Sequence, residues 1–175
     1  MNKELYIELI DNEWPFTYTD HDRAVVRAIV FDNEGYYYFV MLDRDDDFGK
    51  QKLIETSGGG VENGEDLEDA IRRELKEELG VSVDIMSKIG VVSDYYNLIH
   101  RHNINNYYLC KVTSIGETNL TSDEENFFHL KGARLTYEEA INYYEKYRDS
   151  RLGRLIYNRE MPILKAAKTI IDNLK

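Results

Sequence analysis

The feature that most constrains this chain is a helical segment that places glutamates on its own apolar side. In RRELKEELG (residues 72–80), Glu74, Glu77 and Glu78 stand one to four residues apart, so they are neighbours on a helix. On a wheel of about 100° per residue, Glu74 and Glu78 fall within the apolar arc and Glu77 falls at its edge. Burying unpaired carboxylates is costly, so the helix requires a compensating partner. The apolar arc consists of Leu67, Ala70, Ile71, Leu75 and Leu79.

A glycine-rich stretch, SGGG (57–60), precedes this helix. Such a stretch permits close backbone approach and can present amide groups to an anion. Three convergent carboxylates suit Mg²⁺ or Mn²⁺, which prefer oxygen ligands and often bind together with phosphates. The two features together predict a site for metal and phosphate. The alternative is a charge-rich surface helix whose acids cluster by chance.

Residues 59–81, GGVENGEDLEDAIRRELKEELGV, resemble the signature of the Nudix hydrolases. That signature is a glycine, five residues, Glu, seven residues, Arg-Glu, an aliphatic residue, any residue, Glu-Glu, any residue, Gly and an aliphatic residue. Every defined position is filled here, by Gly59, Glu65, Arg73, Glu74, Leu75, Glu77, Glu78, Gly80 and Val81.

The resemblance implies Mg²⁺- or Mn²⁺-dependent hydrolysis of a nucleoside diphosphate linked to another moiety. By that resemblance, Glu77 and Glu78 bind metal, and Glu74 binds metal or acts as the base that activates water. Backbone carbonyls at or near Gly59 are able to reach the metal. This chemistry is physically sensible, because a metal neutralises phosphate charge and lowers the pKa of water.

The resemblance also implies that Arg73 pairs with Glu65 and orients the glycine stretch and the helix. An additional acid from a later loop is often required, and Glu124 and Glu125 are the candidates, with solvated loop acids as the alternative. The chain departs from the family at Ser57, where a proline commonly stands. We expect this change to loosen the loop without removing a catalytic group.

The interspersed helical and strand patterns predict an α/β (α+β) fold, and the resemblance specifies an α/β/α sandwich with a mixed sheet and a C-terminal helix. We expect one domain over residues 1–175, with a core at about 22–147. The last helix is expected to carry Pro162 near its first turn. Strands are predicted at 5–10, 23–31, 36–44, 53–60, 81–96, 103–115 and 127–136, helices at 65–79 and 136–147, and polar loops at 45–52 and 116–126.

Composition limits the class of partner. A net charge of −11 argues against binding to nucleic acid or to an anionic membrane, yet a cation can bridge an acidic protein to a phosphorylated small molecule. The single cysteine and the lack of a signal-peptide core or an apolar span predict a cytoplasmic protein. The expected partner is a nucleotide-like small molecule, and a homodimer is left open.

Some further residues have both a functional and an ordinary interpretation. Arg27 and Arg44 are candidates for phosphate binding, with surface salt bridges as the default. His100 and His102 form a His-x-His in a polar loop, but no further ligand for zinc is apparent, so we expect surface histidines. Four tyrosines suit base stacking but are expected to be sheet residues: Tyr95, Tyr96, Tyr107 and Tyr108.

Two alternatives to a nucleotide pyrophosphohydrolase share the expected fold. One is a non-enzymatic nucleotide-sensing module, against which the intact acidic motif argues. The other is a prenyl diphosphate isomerase, which needs a catalytic cysteine and a further glutamate; Cys110, in a predicted strand, has nothing that marks it as reactive. No motif selects among nucleoside triphosphates, damaged nucleotides, ADP-ribose, dinucleoside polyphosphates and nucleotide sugars.

Overall fold

The computed structural model describes residues 3–126, 128 and 130–174. Its strands are β1 (Leu5–Glu8), β2 (Asp22–Phe31), β3 (Tyr37–Asp46), β4 (Gly49–Glu55), β5 (Ser57–Gly60), β6 (Val81–Tyr96), β7 (Arg101–Ile115) and β8 (Lys131–Leu135). Its α-helices are α1 (Leu67–Leu79), α2 (Ser122–Asn126), α3 (Tyr137–Lys146) and α4 (Arg151–Asp172). None of these helices is both long and apolar enough to span a membrane.

The strands form one mixed sheet in the order β1-β6-β7-β2-β3-β4, with β5 paired to β2 and β8 paired to β3. The β1–β6 and β2–β7 pairs are parallel, and the other pairs are antiparallel. The predicted mixed sheet and the α+β class are therefore confirmed. The long β6–β7 hairpin projects beyond the other strands and provides one side of the cavity described below.

Alternate residues of β2 supply cores on both faces of the sheet. Val26, Ala28 and Val30 pack in one cluster with the apolar side of α1. Ile29 and Phe31 point to the other face, where they join a larger cluster with buried residues of α3 and α4. Because successive strand residues face opposite sides, one apolar strand lies between two layers of helices.

Helix α1 begins and ends close to the predicted positions. At its end, Gly80 has φ of +69°, and its backbone N–H bonds the carbonyl of Lys76 at 3.1 Å. This left-handed cap is the termination that the sequence predicts. Helix α3 opens with a capping box, in which the side chains of Thr136 and Glu139 accept hydrogen bonds from each other's backbone N–H groups.

The predicted polar loop at 45–52 is wrong, because β3 and β4 continue through it as a hairpin. Opposite charges face each other across the two strands: Asp43 pairs with Lys52, and Asp45 with Lys50. The chain turns at residues 47–48 and enters β4 at Gly49, whose φ of +104° suits glycine. Cross-strand charge pairing thus stabilises a segment whose polarity alone indicated a loop.

The predicted start of the C-terminal helix is also wrong. Helix α4 begins at Arg151, capped by the Ser150 side chain, which accepts from the N–H of Gly153 at 2.9 Å. Pro162 therefore lies in the middle of the helix, where a missing N–H and ring crowding cost about 3 kcal/mol. Burial of the turns on both sides of Pro162 offsets this cost.

Smaller differences concern the ends of elements. The predicted strand at 53–60 is two strands, β4 and β5, and the acidic loop at 116–126 contains the one-turn helix α2. The predicted strand at 127–136 is confirmed only as β8, and residues 127 and 129 lie outside the described residues. Residues 1, 2 and 175 also lie outside them, and a single domain over 1–175 stays a prediction.

Candidate active site

A cavity of about 670 Å³ lies between β5, helix α1 and the loop end of the β6–β7 hairpin. This volume is in the range of small-molecule sites. The cavity brings together most residues singled out in the sequence: Arg27, Arg44, Gly59, Arg73, Glu74, Glu77, Glu78 and Glu124. Glu65 and Glu125 are not among its lining residues.

Gly59 and Glu74 form the closest approach between the glycine strand and α1. A Cβ on Gly59 would stand 2.6 Å from Oε1 of Glu74, so only glycine leaves room for this carboxylate. Glu74 is 9% exposed, and burial is the main cause that raises its pKa. The Arg73 guanidinium donates to it at 2.9 Å and opposes that rise. The glycine therefore provides the space in which the Glu74 carboxylate, held by Arg73, faces the cavity.

The start of β5 holds the Glu78 carboxylate by two hydrogen bonds. One of its oxygens accepts from the Ser57 hydroxyl at 2.7 Å and from the N–H of Gly58 at 2.9 Å. Burial and a hydrogen bond with the Glu124 carboxyl raise the pKa of Glu78 well above its usual range. The same contact lowers the pKa of Glu124 against the effect of burial. Two acids from distant parts of the chain thus meet in one buried place.

Arg73 is surrounded by carboxylates, and the ion pair with Glu65 expected for this residue is present. Its guanidinium donates to the two oxygens of Glu65 at 2.8 and 2.9 Å and to the carbonyl of Gly60 at 3.3 Å. The hydrogen bond from Arg73 is the largest cause that lowers the pKa of Glu65 to about 2. Arg73 also contacts Glu77 at 3.4 Å. Arg73 therefore ties α1 to the segment that precedes it.

The two arginines predicted to bind phosphate line the cavity, but both already have partners. Arg27 donates to the side chain of Asn105 at 3.2 Å and lies 3.6 Å from Glu55. Arg44 pairs with Asp46 at 2.6 Å. Phosphate binding by Arg27 and Arg44 stays a prediction.

Further lining residues were missed in the sequence, among them Arg23, Arg101 and Asn103. The guanidinium of Arg23 forms no hydrogen bond or ion pair within the described part of the chain. Burial, followed by the nearby charges of Arg101 and Arg27, lowers its pKa. Strand alternation from Arg27 could have indicated Arg23, because the two lie four residues apart on the same face.

His100 and His102 contact different partners instead of forming one zinc site, and Cys110 is not among the residues that line the cavity. His100 contacts the Thr17 hydroxyl at 3.2 Å, whereas His102 lies between Asp22 and Ser93 at 2.7 Å from each, so the pair has separate partners. Cys110 is fully buried in β7, and burial raises the pKa of its thiol to about 12.

The four tyrosines lie in β6 and β7, as predicted, and Tyr96 alone among them lines the cavity.

The donor set fits a hard divalent cation. Among the described residues, no three His, Cys, Asp or Glu side chains are already arranged as a metal cluster, since Glu74 turns to Arg73 and Glu78 to Ser57. The available ligands are nevertheless all oxygens, which Mg²⁺ and Mn²⁺ prefer. The Glu78–Glu124 contact places two acids where their negative charges oppose each other. A cation there would relieve that repulsion.

The chain combines a mixed sheet between helical layers with a glycine strand that faces a carboxylate-bearing helix. The sequence profile of the NUDIX domain matches residues 21–152, and the chain therefore belongs to the Nudix family.

Known structures support the same fold. The NUDIX hydrolase from Nitrosomonas europaea superposes with a TM-score of 0.56 at 17% identity, over 70% of this chain and 78% of that one. The E. coli ORF135 protein gives 0.56 at 22% identity, over 85% of this chain and 90% of that one. At these identities the likeness concerns the fold alone.

Curated relatives match over a shorter region. Nucleoside triphosphatase NudI of Salmonella agona (strain SL483) is 46% identical over 59 residues, which are 33% of this chain and 40% of the relative. NudI of Escherichia fergusonii is 42% identical over 67 residues, 38% of this chain and 45% of the relative. The chain thus matches less than half the length of these relatives.

Proposed function

We propose that the protein is a pyrophosphohydrolase that uses Mg²⁺ or Mn²⁺ to cleave a diphosphate bond in a nucleoside diphosphate linked to another moiety. The observation that carries the proposal is that Glu74, Glu77, Glu78 and Glu124 line one cavity beside the glycine strand. Similarity to nucleoside triphosphatases named NudI supports a nucleotide substrate. The single cysteine supports a reducing, cytoplasmic location.

The carboxylates divide into two roles in this proposal. Glu77, Glu78 and Glu124 would hold the metal, and Glu74 and the backbone at Gly59 would be available as further oxygen ligands. When bound, the ion supplies charge neutralisation to the phosphates and acidity to water. Glu74 accepts a proton as the water oxygen bonds to phosphorus and the bridging P–O bond breaks. The leaving phosphate departs with the electron pair of that bond.

Positive charge on the opposite wall supports phosphate binding. Arg23 lies close to the glycine strand, because its guanidinium nitrogen is 2.8 Å from the place a Cβ on Gly60 would occupy. We assign Arg23 and Arg101 to the substrate phosphates, since neither forms an ion pair with another residue that the structure describes. Arg73 acts as a positioning residue that keeps Gly60 and α1 together.

The testing experiment measures phosphate release from a panel of nucleotides with Mg²⁺, with Mn²⁺ and with a chelator. Glu74→Gln should remain about 10²- to 10⁴-fold slower at saturating metal, because the base is lost. Glu77→Gln and Glu78→Gln should instead recover part of their rate at high metal. Glu68→Gln is the matched control, since Glu68 is exposed on the same helix outside the cavity.

Two results would contradict the proposal. Near-normal turnover by Glu74→Gln would move the base elsewhere, and Glu124 would be the next candidate. Lack of turnover on the whole panel, with intact nucleotide binding, would favour the sensing module. The isomerase alternative is disfavoured by the burial of Cys110 away from the cavity.

A further inference from the structure

One side chain of the cavity has a hydrogen-bonding requirement that the described protein does not meet. Asn103 on β7 is 4% exposed, and its Oδ1 is a buried acceptor without a partner among the described residues. A buried polar atom of this kind costs free energy unless something satisfies it. Two other orphan atoms, on Ser87 and Asn97, belong to residues that do not line the cavity. Asn103 alone of the three faces a possible ligand.

A neighbouring asparagine shows what a structural amide on this face looks like. Asn105 lies two residues further along β7, so its side chain is on the same face. It accepts from Arg27 at 3.2 Å and donates to Asp94 at 2.8 Å and to the carbonyl of Val92 at 2.9 Å. Asp94 is the cross-strand partner of Asn103, yet its carboxylate bonds to Asn105. The protein therefore satisfies one amide and leaves the oxygen of the next, on a residue that lines the cavity, without a partner among the described residues.

The chemistry of the missing partner is restricted. The Oδ1 atom accepts, so the ligand must bring a donor, and a phosphate or carboxylate anion brings acceptors only. The wall around Asn103 is also suited to an apolar ring. Tyr96 is its diagonal neighbour across the β6–β7 pair, and Phe48 packs edge-on to Tyr96 with ring centroids 6.0 Å apart. Ile99, in the turn between the two strands, completes this wall.

The position of Asn103 fits the far end of a nucleotide. Asn103 is in register with Arg23 on β2, and β2 also pairs with the glycine strand β5. Asn103 and the glycines are thus two strand spacings apart, about 10 Å. Arg23 lies between them, where a phosphate joined to a nucleoside would pass. A ligand with its phosphates at Gly60 would carry its other end to Asn103.

We propose that Asn103 is a specificity residue, whose amide oxygen accepts a hydrogen bond from an N–H on the edge of the substrate's nucleobase. The ring of that base lies against Tyr96 and Phe48, and its phosphates lie toward the glutamates. This inference rests on the proposed function for the nucleotide character of the substrate. It adds recognition of the nucleobase to a site whose proposed catalytic groups act only on the diphosphate.

The test compares nucleoside triphosphates of each common base with ribose 5′-triphosphate, which has no base. Asn103→Ala should lower kcat/KM for the preferred nucleotide about tenfold or more, chiefly through KM. The same variant should leave kcat/KM for ribose 5′-triphosphate unchanged. Asn103→Leu, which keeps the branched outline of the side chain, repeats the test if the smaller side chain impairs folding. Asn106→Ala is the matched control, since Asn106 is 7% exposed on the other face of β7.

Dissociation constants for the same compounds, measured by calorimetry with Mg²⁺, separate this inference from the proposed function. If the wild type binds nucleotides without hydrolysing them, the proposed function fails, and a weaker binding of nucleotides alone by Asn103→Ala still supports the base contact. Equal losses for ribose 5′-triphosphate and the nucleotides would assign Asn103 to the sugar or phosphates and overturn the inference. Unchanged constants for every compound, or no nucleotide binding by the wild type, would overturn it as well.

Discussion

Ser57, which stands where the family pattern commonly has a proline, makes a structural contact of its own. A serine in place of the usual proline was expected to loosen the glycine loop. Instead, its hydroxyl and the N–H of Gly58 both donate to one oxygen of Glu78, and β5 continues as a paired strand. The serine therefore ties the glycine strand to α1 by a side-chain hydrogen bond, which proline could not form.

The ion pair between Glu65 and Arg73 leads to a prediction about the pH dependence of folding stability. Its pKa is lowered to about 2 by the hydrogen bond from Arg73, whereas the unfolded chain has a value near 4.5. A lowered folded-state pKa contributes stability that is present above the unfolded value. That contribution is lost as the pH falls from about 4.5 toward 2. Glu65→Gln should therefore reduce the loss of stability in this window.

The measurement for Glu65 is denaturant unfolding at several pH values, with the Glu65 carboxyl titration followed by NMR. Glu62→Gln is the matched control, because Glu62 is exposed and makes only a longer contact, of 3.9 Å, with the same guanidinium. A Glu65 titration midpoint close to 4.5 in the folded protein would contradict the prediction.

Helix α4 has a role beyond covering the sheet, because two charged residues enter the core at its centre. Arg159 and Glu160 are both fully buried. Arg159 donates to Glu55 at 3.0 Å and to the Tyr96 hydroxyl, so the helix fixes two side chains of the cavity wall. Buried charges of this kind are tolerated only when their partners are complete.

Glu160→Ala should destabilise the protein by about 3–5 kcal/mol, since it leaves several buried hydrogen-bond donors without a partner. Glu160 accepts from the backbone N–H of Thr56 at 2.6 Å and from the hydroxyls of Thr56, Tyr107 and Tyr144. Urea unfolding measures the change. Glu138→Ala, an exposed carboxylate on α3, is the control and should alter stability little. A loss below about 1 kcal/mol for Glu160→Ala would show that this network is not a stabilising unit.

For the molecule as a whole, the parts that the sequence predicted are those encoded locally. The signature lies in one continuous segment, so the helix and its cap at Gly80 follow from the local pattern, and the Arg73–Glu65 pair follows from the family resemblance that this segment carries. The hairpin at 45–52 was missed because its polar residues find their cross-strand neighbours only after the strands pair. The start of α4 was missed because tertiary burial overrides the local effect of Pro162.

In the candidate site, too, some residues could be predicted from the sequence and others could not. Its acidic wall could be predicted, since α1 carries most of it. Strand alternation could have indicated Arg23, but its place beside Asn103 could not be predicted, because the two residues are far apart in sequence and meet only through the parallel register of β2 and β7. Glu124 and Glu125 are adjacent residues of α2, and only the folded structure shows that Glu124 is the one that lines the cavity.

The reaction rate of the Cys110 thiol measures how often the sheet opens. It lies in β7 opposite Val30 of β2 and Ile85 of β6, is fully buried, and has its pKa raised to about 12 by burial. A thiol reagent can reach it only when the sheet opens. We expect the folded protein near pH 8 to react at least about 10³-fold more slowly than the protein in denaturant.

A nucleotide with Mg²⁺ should slow the reaction of Cys110 further, because a ligand that binds only the folded state reduces opening by mass action. Colorimetric titration of the thiol, with and without the nucleotide, measures both effects. Free Mg²⁺ without nucleotide is the control for a general effect of salt. Rapid stoichiometric reaction of the folded protein would mean that β7 is accessible from one face. It would also restore the isomerase alternative, since a catalytic cysteine must be reachable and ionisable at neutral pH.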